Sequence, residues 1–316
     1  MWAAAVARKT SPLAACAAAL ACSSALAQPV PLAVCVSADN PPLSHLVAGQ
    51  ARGLDVRIAQ AAADALGRPL KLVPFETSYE KESTLTHEVA ALLAAGVCEA
   101  VSGFPLVTGE FDLPTRATSR TPYYPGAKRR RERPYIPLQA MAPSRAYLGA
   151  VLGAVLPAGA PPLASLNDLG ERKLGVVAGT LGGAVAMGWK FGALRSRVVT
   201  LNQRESPLDE LAKPAAGAAP RFDAVLTPLA LFDGWRVQHP GGTLVAAGWR
   251  RPLGMNLGFV TLASDVTVRP ALDAVITRAR ADGSLARWAT EEGVSWSPPE
   301  APDVTRGPSL LQLVSE

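Results

Sequence analysis

Short apolar runs alternate along this chain with longer stretches in which apolar positions recur at helical spacing. The run 32–37 reads as a strand, and Asp39-Asn40-Pro41-Pro42 as the loop after it. Leu54, Ile58, Ala61, Ala62, Ala65 and Leu66 then fall on one helical stripe, which Gly67 ends. Strand 70–75, helix 85–95 closed by Gly96, and strand 98–101 follow, the last running into Ser102-Gly103-Phe104-Pro105. Strand–helix–strand units of this size imply a parallel sheet with helices on its faces, hence an α/β fold.

The stretch 109–143 breaks the rhythm with Pro, Arg and Tyr, and a second αβ series begins at Leu148. It predicts a short helix over 163–169, a strand over 173–177, and a turn at Gly179-Thr180 that opens the next helix. Strands follow at 198–201, 224–226, 244–246 and 256–261, with a Pro/Ala/Gly loop over 213–221. Helices at 268–282 and 285–292 close the body, and 298–316 reads as a flexible tail. No solenoid repeat is visible.

The amino terminus is an address rather than a fold. Arg8 and Lys9 precede an apolar, Ala-rich stretch that ends in Ala25-Leu26-Ala27. That is the pattern of a secretory signal peptide spanning 1–27 and cut near Ala27, which places the mature chain in the periplasm. Leu13-Ala14-Ala15-Cys16 resembles a lipobox, but the run between Lys9 and Cys16 is short for one. No later stretch is long and apolar enough to span a membrane. Export takes Cys16 and Cys22 away with the leader and leaves Cys35 and Cys98. In an oxidising compartment this even pair is expected to form a disulfide, two buried free thiols being the alternative. The bond would close the loop from 35 to 98, worth roughly 4 kcal/mol in the chain-entropy model.

With 316 residues, 49% hydrophobic and 18% charged, the chain can bury a large core and is no disordered tail protein. Loss of Arg8 and Lys9 lowers the formal charge from +5 to +3, and 109–143 alone carries +4, which leaves the rest of the mature chain near −1. The run Lys128-Arg129-Arg130-Arg131-Glu132-Arg133 is first of all a solvated loop, and second a docking patch for an acidic partner or an anionic membrane surface. An exported protein meets no nucleic acid, so none is expected as a partner.

Chemistry motifs are mostly absent. There is no phosphate loop, no dinucleotide fingerprint, no nucleophile elbow and no zincin motif. The nearest is Gly179-Thr180-Leu181-Gly182-Gly183, whose amides at a helix start could meet a small anion. His45, His87 and His239 lie far apart, and Asp64, Glu80, Glu82 and Glu88 show no paired-carboxylate signature. No cofactor, no metal and no enzymatic activity are expected.

Four pieces in order give the chain from Leu32 to about Ser297 a resemblance to periplasmic solute-binding proteins of family 3, the bilobal type II kind. They are Leu32 to Asn40 with Pro41-Pro42; Gly53-Leu54-Asp55-Val56-Arg57-Ile58-Ala59, similar to "GFDVDLA"; 163–169 with Leu174-Gly175-Val176-Val177-Ala178-Gly179-Thr180; and Ala281-Asp282-Gly283-Ser284-Leu285, similar to "ADGT". Val34-Cys35-Val36 with Asn40, Gly96-Val97-Cys98-Glu99, Gly103-Phe104-Pro105 and Glu291-Glu292-Gly293-Val294 further resemble the binding-protein-like components associated with PQQ-dependent alcohol and methanol dehydrogenases. Their cysteines fall at matching places, which also favours the disulfide.

The resemblance implies a two-lobed α/β fold with a hinge of two crossing strands. Lobe one would be 28–147 plus 255–297, and lobe two 148–254. A small polar solute would sit in the cleft between them, lined by Asp39, Asn40, Ser102, Gly103, Gly179, Thr180 and Thr227. The partner would be an inner-membrane ABC permease. The alternative is an accessory component that docks on a periplasmic quinoprotein dehydrogenase or its cytochrome. A dehydratase variant of the fold is a third option, without a visible acid–base pair. One departure stands out: where amino-acid binders of the family carry a carboxylate-clamping Arg, this chain has Val107-Thr108-Gly109-Glu110-Phe111.

Overall fold

The computed structural model describes residues 1–2, 29–77, 83–112, 114, 116–213, 217 and 219–314. Apart from its first two residues, the leader expected over 1–27 lies outside the described residues, as do Glu80 and Glu82.

The chain opens with β1 (Leu32–Ser37), β2 (Asp39–Asn40), β3 (Ser44–Val47) and β4 (Gln50–Arg52), then α1 (Leu54–Ala65), β5 (Leu70–Phe75), α2 (Leu85–Ala94) and β6 (Ala100–Pro105). Short strands β7 (Thr118–Ser119), β8 (Ile136–Pro137) and β9 (Met141–Pro143) follow. The long β10 (Leu148–Pro157) leads into β11 (Leu174–Val177), α3 (Leu181–Gly188), β12 (Val198–Leu201), α4 (Pro207–Ala212), β13 (Ala224–Pro228) and α5 (Leu229–Gln238). The chain closes with β14 (Leu244–Leu262), α6 (Val268–Ala281), α7 (Ser284–Glu291) and α8 (Leu310–Val314).

One nine-stranded sheet runs β12-β11-β13-β10-β14-β6-β1-β5, and β9 also pairs with β14. The two ends of the sheet repeat one plan. β5, β1 and β6 are parallel, as are β12, β11 and β13, and each trio meets an antiparallel strand, β14 or β10. Side-chain alternation explains the layers. Leu32, Val34 and Val36 of β1 face the cluster built with α1, α6 and α7, while Cys35 faces the cluster of α2. Cys35 and Cys98 form the disulfide, with Cα atoms 5.7 Å apart. At the other end Leu152, Ala154 and Leu156 of β10 pack with α3, whereas Val151 and Val155 pack with Phe222, Phe232 and Trp235 beside α4 and α5.

Several sequence expectations need correction. β14 is one strand, where two separate strands had been expected at 244–246 and 256–261. Its polar middle, Arg250 to Pro252, pairs through the backbone with Val151 to Gly153 of β10, and a ladder needs no apolar side chains. The helix expected over 163–169 is only a 3-10 turn, Leu166–Leu169, capped by Ser165 and Asp168. Asp39-Asn40 is a strand of the small β2-β3-β4 sheet, not a loop. Within the basic run, Lys128 to Glu132 are exposed, but Arg133 is buried and its guanidinium donates to the Thr121 carbonyl at 2.5 Å.

The carboxyl-terminal segment is tied down rather than loose. The buried Asn256 side chain in β14 donates to the carbonyls of Glu300 (2.8 Å) and Asp303 (2.9 Å), and accepts from the Glu300 amide (3.0 Å). Thr305 pairs through its backbone with Leu106 and Thr108 of the first half, and Asp303 receives Arg145 and Arg280. The chain then crosses to the second half. There α8 lies on α3, and Leu313 is buried in the cluster of Trp189 and Trp249.

Removing residues 298–316 therefore orphans the Asn256 amide, at about 1–3 kcal/mol, and strips the Leu313 burial, at about 1.5–3 kcal/mol. At about 2–4 °C per kcal/mol for a protein of this size, the melting temperature of the truncated chain falls by roughly 10 °C in a thermal melt. An unchanged melting temperature would mean that the segment is an appendage.

Candidate functional site

In open α/β sheets ligands bind beyond the carboxyl ends of parallel strands. Here the ends of β1, β5 and β6 surround a cavity of about 620 Å³. Ser37, Asp39 and Asn40 reach it from the end of β1 and from β2, Phe75, Glu76 and Thr77 from β5, and Ser102, Gly103 and Phe104 from β6.

Two glycines make this corner possible. Gly53 starts α1 at φ +124°, and a Cβ there would stand 2.3 Å from the Leu43 carbonyl oxygen. Gly103 holds φ +67°, with space for a Cβ only 3.1 Å from Asp55 Oδ2 and 3.7 Å from Asn40 Nδ2. The close approach thus sets the cavity floor directly over the first turn of α1.

Behind that floor lies a buried acid. Asp55 is fully buried, and the Tyr147 hydroxyl donates to its Oδ1 at 2.5 Å. Its Oδ2 has no hydrogen-bond partner. Burial pushes the Asp55 carboxyl up to about 6, against the Tyr147 and Ser102 hydroxyls, which favour the charged form. The Tyr147 phenol is itself raised, by burial first and then by the Asp55 charge. Ser102 lines the cavity beside Asp55, and its buried hydroxyl makes no well-formed hydrogen bond.

The structure brings together four of the seven cleft residues expected from sequence: Asp39, Asn40, Ser102 and Gly103. Gly179 and Thr180 line a separate cavity of about 450 Å³, together with Met187 and with Leu310 of α8. Thr180 caps α3 by accepting from the Gly183 amide at 3.2 Å. Thr227 is buried within β13 opposite Gly153 and lines neither cavity. Sequence reasoning passed over Phe75, Glu76 and Thr77. The position of strand 70–75 beside β1 was signal enough to find them, because its carboxyl end must open at the same corner. At 107–111 there is still no arginine: Val107 bridges to Thr305, and the Thr86 hydroxyl donates to Glu110.

The histidines do not converge. His87 caps α2, and His239 stacks on Trp235 with ring centroids 4.3 Å apart. Among the described residues no group of His, Cys, Asp and Glu could hold a metal ion, and no helix is long and apolar enough to cross a membrane.

No protein-family model matches the chain, and no curated protein matches it. Solved structures do. Substrate-binding domain 2 of Lactococcus lactis GlnP in its open conformation superposes with a TM-score of 0.59 at 12% identity, covering 84% of this chain and 96% of that one. The second substrate-binding domain of an amino acid ABC transporter from Streptococcus pneumoniae gives 0.56 at 14%, covering 83% and 99%. An ancestral cationic amino acid solute-binding protein gives 0.51 at 20%, covering 82% and 94%. At these identities the likeness is one of fold. The chain has the two-lobed α/β fold of such binding proteins.

The buried acid makes stability depend on pH. The folded pKa of Asp55 lies above its ordinary 3.8, so the folded state favours the protonated form. That contribution is fully present below about pH 4 and is lost as pH rises through about 6, amounting to roughly 3 kcal/mol. Asp55→Asn imitates the protonated carboxyl. Its stability relative to the parent chain, read from urea unfolding, should rise by about that amount between pH 4 and pH 7. A difference that does not change with pH would show that Asp55 ionises in the fold as freely as in the unfolded chain.

Proposed function

We propose that this chain is an exported solute-binding protein that captures a small polar solute between its lobes and delivers it to an inner-membrane ABC permease. Lobe one is 28–147 with 255–297, and lobe two is 148–254. The observation that carries the reading is the cavity at the carboxyl ends of β1, β5 and β6, polar in Asp39, Asn40, Glu76 and Ser102 and set in the fold of substrate-binding domains. In lobe two the turn at Gly179 and Thr180 lines a cavity of its own, and it would meet the first only on closure of the lobes. β10 and β14 join the lobes and serve as the hinge.

One observation favours a second reading. Lys128 and Arg129 are exposed just before a short 3-10 turn, Arg130 and Arg131 are exposed on it, and the inward Arg133 anchors its end. This is a surface on which an acidic protein could seat, so docking on a periplasmic quinoprotein dehydrogenase remains the competing function.

A thermal-shift screen of residues 28–316 against amino acids, amines, small carboxylates and alcohols separates the two. A solute at 100 times its Kd stabilises by ~2.7 kcal/mol, a rise of roughly 5 °C or more. One responding solute class supports capture. A folded protein that responds to none of them, yet retains a purified quinoprotein dehydrogenase in a pull-down, overturns it.

A further inference from the structure

The cavity at the end of β1 carries a charge pattern that its fold does not dictate. Asp39 and Glu76 both border it, and neither has an ion-pair partner among the described residues. None of the described residues that line it is a lysine or an arginine. Its floor offers unused acceptors. Ser102 is only 6% exposed, and its hydroxyl makes no well-formed hydrogen bond although Asp55 stands beside it. Directly behind, the fully buried Asp55 keeps a free Oδ2, 3.1 Å from where a Gly103 Cβ would stand. A buried hydroxyl without a partner is costly unless something else fills the role. Ser102 can donate to Asp55 and accept from a donor in the cavity, so the floor presents an acceptor to whatever sits on it.

An anionic end has no seat here. The helix start at Thr180, which could take one, belongs to the other cavity, where Leu310 of α8 forms part of the wall. Glu110 occupies the segment in which an arginine clamp is missing, and it is engaged by Thr86. A solute carboxylate placed near Asp39 and Glu76 would meet like charge, with no lysine or arginine among the described lining residues to offset it.

We propose that this cavity takes a small organic cation that carries no carboxylate, its ammonium or guanidinium held between Asp39 and Glu76 and donating to Ser102. The inference rests on the solute-binding reading and names the chemical class of the solute. It leaves open whether the cation is a diamine or a guanidine, since the shared feature is a multivalent donor without an acid group. Attraction to two exposed carboxylates is screened by salt, so binding weakens as ionic strength rises.

The test compares molecules that differ only in the acid group. Residues 28–316 are titrated calorimetrically at low salt with agmatine, L-arginine, putrescine and L-glutamate. Agmatine or putrescine should bind, agmatine at least as tightly as L-arginine and at least tenfold more tightly than L-glutamate. Asp39→Asn and Glu76→Gln should each weaken agmatine or putrescine at least fivefold. Both side chains are exposed, so the melting temperature of the free variants should stay within about 2 °C of the parent chain. L-arginine binding tenfold more tightly than agmatine overturns the exclusion of a carboxylate. Cation binding that ignores both substitutions overturns the site. L-glutamate binding while both amines fail overturns the charge assignment but leaves solute capture standing, whereas no heat with any of the four, and no response in the wider screen, removes both.

Discussion

The ladder between β10 and β14 is the constraint on which the rest depends. Within the sheet, each trio of parallel strands reaches the other across these two, because β13 pairs with β10 and β6 pairs with β14. The ladder carries register shifts between Gly149 and Val151 and between Gly153 and Val155, and such irregularities bend and twist a pair locally. Its side chains divide accordingly. Leu148 joins the core under β1, and Leu152 and Leu156 join the core under β11. Tyr147, one residue before β10, sends its hydroxyl to Asp55 under the cavity, so the same crossing that joins the cores also touches the floor of the candidate site.

The site then follows from strand order. β1 lies between β5 and β6, and the strand ends on both sides of it open a corner that α2 borders with Leu85 and Val89. The fold supplies the corner, while the residues on it decide its chemistry. Carboxylates at Asp39 and Glu76, an unpartnered Ser102 and a glycine at 103 make it an acceptor-rich hollow. The second half has a matching turn at Gly179 and Thr180, yet in this arrangement that turn opens into its own hollow.

Much of this was legible in the sequence, for physical reasons. Local periodicity revealed α1, because Leu54, Ile58, Ala59 and Ala62 pack one stripe against the sheet. The parallel units around β1 and β11 were likewise evident from short apolar runs. What escaped depended on pairing over long distances. β10 is apolar on both faces, since it is buried on both, so it shows no alternation. The middle of β14 hides behind Arg250 and Arg251, which join the strand through backbone pairing that their charged side chains do not announce. The fate of 298–316 was invisible because a polar, Pro-rich composition says nothing about one buried asparagine far upstream that collects its carbonyls. In the site, Asp39, Asn40, Ser102 and Gly103 were expected from the family resemblance, and the structure gathers them because they follow or end neighbouring strands. The separation of Gly179 and Thr180 from them could not be read, because it depends on how the two halves are joined.

That terminal strap has a mechanical corollary. Thr305 is fixed to Leu106 and Thr108 in one lobe, and five residues later Leu310 starts the helix that rests on the other. Five residues of extended chain reach at most about 18 Å. While both anchorages hold, this link is a leash: it caps the amplitude of any hinge rotation at the edge where it runs, whatever the crossing strands themselves would permit. A wider swing has to unseat α8 first, and doing so would uncover the wall that Leu310 gives to the Thr180 hollow.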